Sequence, residues 1–168
     1  RAHLAERSRA QDAGDDARRA ALRILGHLGR AGDLDLSGAC AVGRPGARLP
    51  RTVRSELETT LARVFDRDPA AVRNASSLYA RGDGALVAPV VTALQSSADG
   101  ERLVALAGLL GRLPAGDAHV LVAIGKVARA VARPDARVTA AVRRYLRGQG
   151  LNVEVFDVSR STTAREAY

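Results

Sequence analysis

Apolar residues recur along this chain at helical rather than alternating spacing. Ala17, Ala20, Ala21, Ile24, Leu25 and Leu28 make one run, and Val53, Leu57, Leu61 and Val64 make a stripe at i, i+4, i+8 and i+11. That is the period of an amphipathic helix. The same spacing returns in Val72, Ala75, Leu78 and Tyr79, then in Leu86, Val87, Val90, Val91 and Leu94. It continues in Leu103, Leu106, Ala107, Leu109, Leu110 and Leu113, in Val120, Leu121, Ile124, Val127, Ala128 and Val131, and finally in Val138, Ala141, Val142, Tyr145 and Leu146.

Polar and glycine breaks separate these runs. Residues 1–14 read as a polar lead-in that Gly14 interrupts, with Asp15 or Asp16 as the N-cap of the first clear helix. Gly29 and Gly32 end that helix. Residues 31–50 carry Gly32, Gly38, Gly43, Pro45, Gly46 and Pro50, and read as the longest irregular piece, basic in its second half through Arg44, Arg48 and Arg51. Pro50 suits a first helical turn, and Asp68-Pro69 reads as cap and N1 of another helix. Pro89 lies either in a first turn or at a kink. At the C-terminal end the period changes. Leu151, Val153 and Val155 alternate with Asn152 and Glu154, so a short strand is expected within an extended tail over 148–168.

The chain also repeats itself. Asp68 and Asp99 open two units offset by 31 residues, and Val72 with Leu103, and Leu78 with Leu109, keep that offset. Gly82-Asp83 breaks the first unit and Gly116-Asp117 the second. Asp135, Val138 and Val142 begin a further copy, and Ala20-Ala21-Leu22-Arg23 matches Ala70-Ala71-Val72-Arg73 upstream. A helical pair of this size cannot bury its own apolar face, so its copies are expected to stack.

In these features, an Asp/Pro opening before a Val/Leu-Arg helix, a Gly-Asp turn and a second helix rich in Val, Leu and Ala, residues 15–147 resemble the HEAT-repeat family, including its short bacterial relatives. The resemblance implies an all-α fold, an α-solenoid of stacked helical hairpins. The first unit departs from it, because residues 34–49 intervene between its two helices, and the last unit lacks its second helix. A compact orthogonal bundle is the alternative architecture. The family's members mostly bind protein or peptide along a concave surface. Some short ones bind nucleic acid, and some are glycosylases.

Composition narrows the chemistry further. Hydrophobic residues make up 46% and charged ones 26%, enough for a folded core. Trp and Met are absent and aromatics are only 3%, so Leu, Val and Ala must build that core. The scarcity of aromatics also leaves a flipped base without a stacking pocket. Cys40 is the single cysteine, which rules out an internal disulfide and a cysteine-based zinc cluster. His3, His27 and His119 are scattered, and no phosphate-loop or zinc-helix motif occurs. No catalytic residue, metal or cofactor is therefore expected. No apolar run reaches the length of a membrane span, and the cytoplasm and the periplasm fit equally well.

The net charge of +8 turns attention to acidic partners. The densest basic group is Arg129, Arg133, Arg137, Arg143, Arg144 and Arg147. Arg143, Arg144 and Arg147 share part of one helix face, and Arg133 and Arg137 flank its start, a candidate contact with a partner or with phosphates. Arg suits the C-terminal end of a helix equally well. The expected function is a non-enzymatic scaffold or complex subunit that binds protein, with a basic nucleic-acid-binding module as the alternative.

Overall fold

The computed structural model describes residues 2–42, 48–76, 78, 84–112, 117–131 and 135–150, which are helix, turn or connecting segment with no strand among them. The chain divides into two compact units, Arg1–Ala93 and Leu94–Tyr168.

In the first unit, α1 (Ala2–Leu28) leads through a 3-10 turn (Ala31–Asp33) into α2 (Leu34–Val42). Next come α3 (Arg51–Arg67) and α4 (Pro69–Asn74), and a second 3-10 turn (Gly84–Leu86) opens α5 (Val87–Leu94). The core gathers Leu22, Leu34, Val53, Leu57, Leu61 and Val64, all 1% exposed or less. Full burial of each such side chain contributes about 1.5–3 kcal/mol.

The helices α1 and α3 run in the same direction. Their contacts climb together, from Arg23 on Glu56 (2.9 Å) to Arg67, whose Nη2 donates to the Gly26 carbonyl (2.7 Å) and whose Nη1 donates to that of Gly29 (3.0 Å). Arg67 thus satisfies carbonyls that the end of α1 would leave without a helical donor. Gly26 faces Thr60 across this contact, where a Cβ would lie 3.4 Å from the Thr60 Cα, an ordinary van der Waals distance.

In the second unit, α6 (Gly100–Ala107), α7 (Asp117–Ala128) and α8 (Ala136–Gly148) surround Leu103, Leu106, Val120, Ile124, Val138 and Val142. Here α6 packs against both α7 and α8. Glu101 at the start of α6 meets Arg137 at the start of α8, and Gly111, just beyond α6, lies beside Tyr145 near the end of α8. The first and third helices of this unit are therefore also parallel.

Aspartates start the helices as expected. Asp68, Asp99 and Asp135 accept from the backbone N–H groups of Ala70, Glu101 and Arg137, at 2.9, 3.0 and 2.7 Å. Asp68 also accepts from the Ala31 N–H at 2.9 Å, so one carboxylate caps α4 and ties down the turn before α2. Pro89 sits in the first turn of α5, where its missing N–H costs nothing.

Several sequence-based expectations need correction. The first helix begins at Ala2, not near Asp16, and runs through Gly14. One interior glycine costs about 1 kcal/mol, which the surrounding Ala, Arg, Glu and Gln offset. Asp15 and Asp16 are consequently not caps but partners of Arg18 and Arg19, one turn on, at 3.3 and 3.1 Å. Residues 34–42, expected to be irregular, form α2. Gly38 there is no breaker. It is buried where a Cβ would meet Leu78 and Leu86 at 3.2 Å, a close approach that a side chain would crowd. Pro50 is the N-cap of α3, one residue outside its first turn. The C-terminal strand is not borne out, as the described residues contain none and 151–168 lie outside them. The turn at Gly82-Asp83 and the Gly116 turn also lie outside them.

Candidate functional site

The basic group belongs to the second unit. Arg129 follows α7 and donates Nε to the Gly125 carbonyl at 3.1 Å, closing the end of that helix. Arg133 lies outside the described residues. Arg137, in the first turn of α8, is exposed yet engaged. Its Nη2 and Nε donate to Asp135 Oδ2 at 2.7 and 3.0 Å, and Nη2 stands 3.5 Å from Glu101 Oε1. The Arg137 guanidinium is the main cause that holds the Asp135 carboxyl below the ordinary carboxylate range, followed by the Arg137 N–H. Asp135 in turn raises the pKa of Arg137. This exposed arginine links the starts of α6 and α8.

Arg143, Arg144 and Arg147 share the side of α8 away from buried Val138 and Val142, because residues step about 100° around a helix. Arg144 and Arg147 are exposed, while Arg143 is half-buried and has a contact of its own. The structure thus brings together Arg143, Arg144 and Arg147 as one arc of positive charge and assigns Arg129 and Arg137 to helix ends. The arc can meet an acidic surface, whether phosphate or carboxylate.

Tyr145 on α8 lies near Asp117, a residue only 8% exposed that accepts the Gly111 N–H at 3.1 Å. Burial raises the Tyr145 pKa most, and the Asp117 charge and hydrogen bond raise it further. Gly111 has φ of +78°, a conformation that favours glycine. Sequence reading took Asp117 for a turn residue, because nothing local predicts that a tyrosine 28 residues later will cover it.

The remaining candidates are dispersed. His27 is exposed, its Nε2 3.5 Å from Arg63 Nη1, and His119 is exposed on the first turn of α7. Among the described residues no group of three or more His, Cys, Asp or Glu side chains is placed to hold a metal ion. Ser37, buried on α2, donates its hydroxyl to the Asp33 carbonyl at 3.2 Å, and Cys40 is a half-buried free thiol on the same helix. No described helix is long and apolar enough to cross a membrane.

Two features escaped the sequence reading. The apolar run on the first helix does not face the core as a whole. Leu22, Gly26 and Gly29 are buried, whereas Ile24 is 59% and Leu28 75% exposed. The chain also holds a cavity of 840 Å³ at the start of α3, lined by Arg48, Leu49, Pro50, Arg51, Arg54, Ser55 and Glu58. Its sequence signal is an arginine at every third position, 48, 51 and 54, entering a helix whose cap is proline. Comparison with family models, with curated proteins and with solved structures yields no match.

Proposed function

We propose that this chain is a non-enzymatic helical-repeat scaffold, or a subunit of a complex, that binds another protein. One observation carries the reading. In each compact unit, helices two apart in sequence pack in parallel with a further helix between them, α1 with α3 and α6 with α8. Stacked helical pairs of a HEAT-like solenoid place their equivalent helices in this way. In such an array binding uses the surface that stacking leaves open, and Ile24 and Leu28, one turn apart on α1, are large apolar side chains without cover.

Affinity capture with the intact protein, read by mass spectrometry, should retain a defined partner in fixed ratio. Ile24→Glu with Leu28→Glu should abolish retention while leaving the thermal melt unchanged, because neither residue serves the core. A monomer that retains nothing from extracts of its own cells would sink the reading.

The arc of Arg143, Arg144 and Arg147 favours a second reading, a basic module that binds nucleic acid. Affinity for duplex or single strand should then fall steeply as salt rises, and changing these three arginines to Glu should abolish it. Unchanged mobility of both labelled nucleic acids at low salt would end this alternative.

A further inference from the structure

We propose that the cavity at the start of α3 binds a small phosphorylated ligand, an oligophosphate or a sugar phosphate. The cavity, at 840 Å³, lies within the usual size of small-molecule sites, about 300–1,000 Å³. Among the described residues of its lining, three guanidinium groups stand against one carboxylate, that of Glu58. Glu58 is already taken, because Arg54 Nε donates to its Oε1 at 2.9 Å. Arg48 and Arg51 are exposed and have no ion pair among the described residues, so two full positive charges face the cavity without an internal counter-charge.

The placement of these groups follows from the helix. Arg51, Arg54, Ser55 and Glu58 stand at i, i+3, i+4 and i+7, one face of α3. The opposite face carries buried Val53, Leu57 and Leu61, which anchor it. The positive end of the helix adds to the same field. Its cap is Pro50, which supplies no side-chain acceptor, whereas α4, α6 and α8 close their first turns with Asp68, Asp99 and Asp135.

Planar guanidinium forks match the oxygens of a phosphoryl group in pairs. Among the described residues of the lining none is aromatic, and Leu49 and Pro50 are the apolar members, so these residues give a stacked nucleobase no platform. The non-phosphate part of the ligand is therefore polar. The binding rests on this site alone and is independent of any protein partner.

Inorganic pyrophosphate and ribose 5-phosphate are the probes, titrated into the isotope-labelled full chain at low salt and followed through its amide signals. The expected result is saturable one-to-one binding, with the largest shifts from Arg48 to Ser55. Arg48→Gln with Arg51→Gln should weaken it by roughly ten-fold or more, as loss of two charge-assisted contacts implies. Arg144→Gln with Arg147→Gln should leave it unchanged. Tighter binding of pyrophosphate identifies an oligophosphate ligand, and tighter binding of ribose 5-phosphate a sugar phosphate. Shifts without saturation, shifts centred on α8, or equal weakening by the two variant pairs would overturn the proposal. The shift map decides even if one variant fails to fold.

Discussion

Thr60 donates its hydroxyl to the carbonyl oxygen of Leu22 at 2.8 Å, where neither side chain meets solvent. The bond crosses from α3 to α1 at the level of Gly26. Thr60→Val keeps the shape and deletes the donor. The Leu22 carbonyl retains its helical N–H partner, so the loss should be modest, about 0.5–1.5 kcal/mol. Denaturant melts would show it as a lower midpoint with an unchanged slope. An unchanged midpoint would mean that the threonine serves by packing and not through this bond.

Gly29, just past the end of α1, should respond to alanine in the opposite direction from Gly14 within α1 and Gly125 within α7. At Gly29 a Cβ would stand 2.5 Å from the Leu25 carbonyl oxygen, and the Gly29 N–H already bonds that oxygen at 2.7 Å. Gly29→Ala must shift backbone at the end of α1 and disturb the Arg67 contacts, a loss of about 1–3 kcal/mol. At Gly14 and Gly125 a Cβ meets nothing within 4 Å. There alanine should add about 0.5–1 kcal/mol each through helix propensity. Thermal melts of the three single variants check the sign at each site.

Acid should loosen both units through their caps. The Asp68 carboxyl is held below its ordinary value, first by the Ala31 N–H and then by the Ala70 N–H, and Asp135 is held down by Arg137. A lowered carboxylate pKa stabilises the fold above the unfolded value of 3.8. That contribution disappears as pH falls through the lower, folded value. Melting temperature should therefore be flat near neutral pH and fall as pH drops below about 4. Asp68→Asn with Asp135→Asn should flatten the fall, since neither amide can gain a proton there. An unchanged acid slope in the double variant would refute the assignment.

Arg102 should behave as a core residue. It is 2% exposed on α6, and its Nη1 donates to Ser96 Oγ at 2.9 Å, with a further contact elsewhere. Its long stem packs as an aliphatic chain would. Arg102→Ala removes that packing and leaves its partners without a donor, with an expected loss of about 2–4 kcal/mol. Arg102→Met should recover part of it by filling the space. Chemical unfolding of the two variants measures the difference. Equal losses would place the role in the hydrogen bonds alone.

Local chemistry alone foretold much of this molecule. The i, i+4 spacing of Val53, Leu57, Leu61 and Val64 marked α3 and its buried face, and Asp68, Asp99 and Asp135 marked three helix starts. These signals act within one or two turns, so a linear reading sees them whole. The face that α1 buries was decided only by packing. Leu22 with Gly26 and Ile24 with Leu28 offer two edges on that helix, and α3 covers the first, where Thr60 bonds the Leu22 carbonyl and Arg67 that of Gly26. The arginines divide in the same way. Their number and spacing are visible in the chain, but which of them end up spent on helix ends, like Arg67 and Arg137, depends on carbonyls and carboxylates brought close by folding. Helical periodicity is a property of neighbours along the chain, whereas the choice of face and the fate of each charge depend on partners tens of residues away.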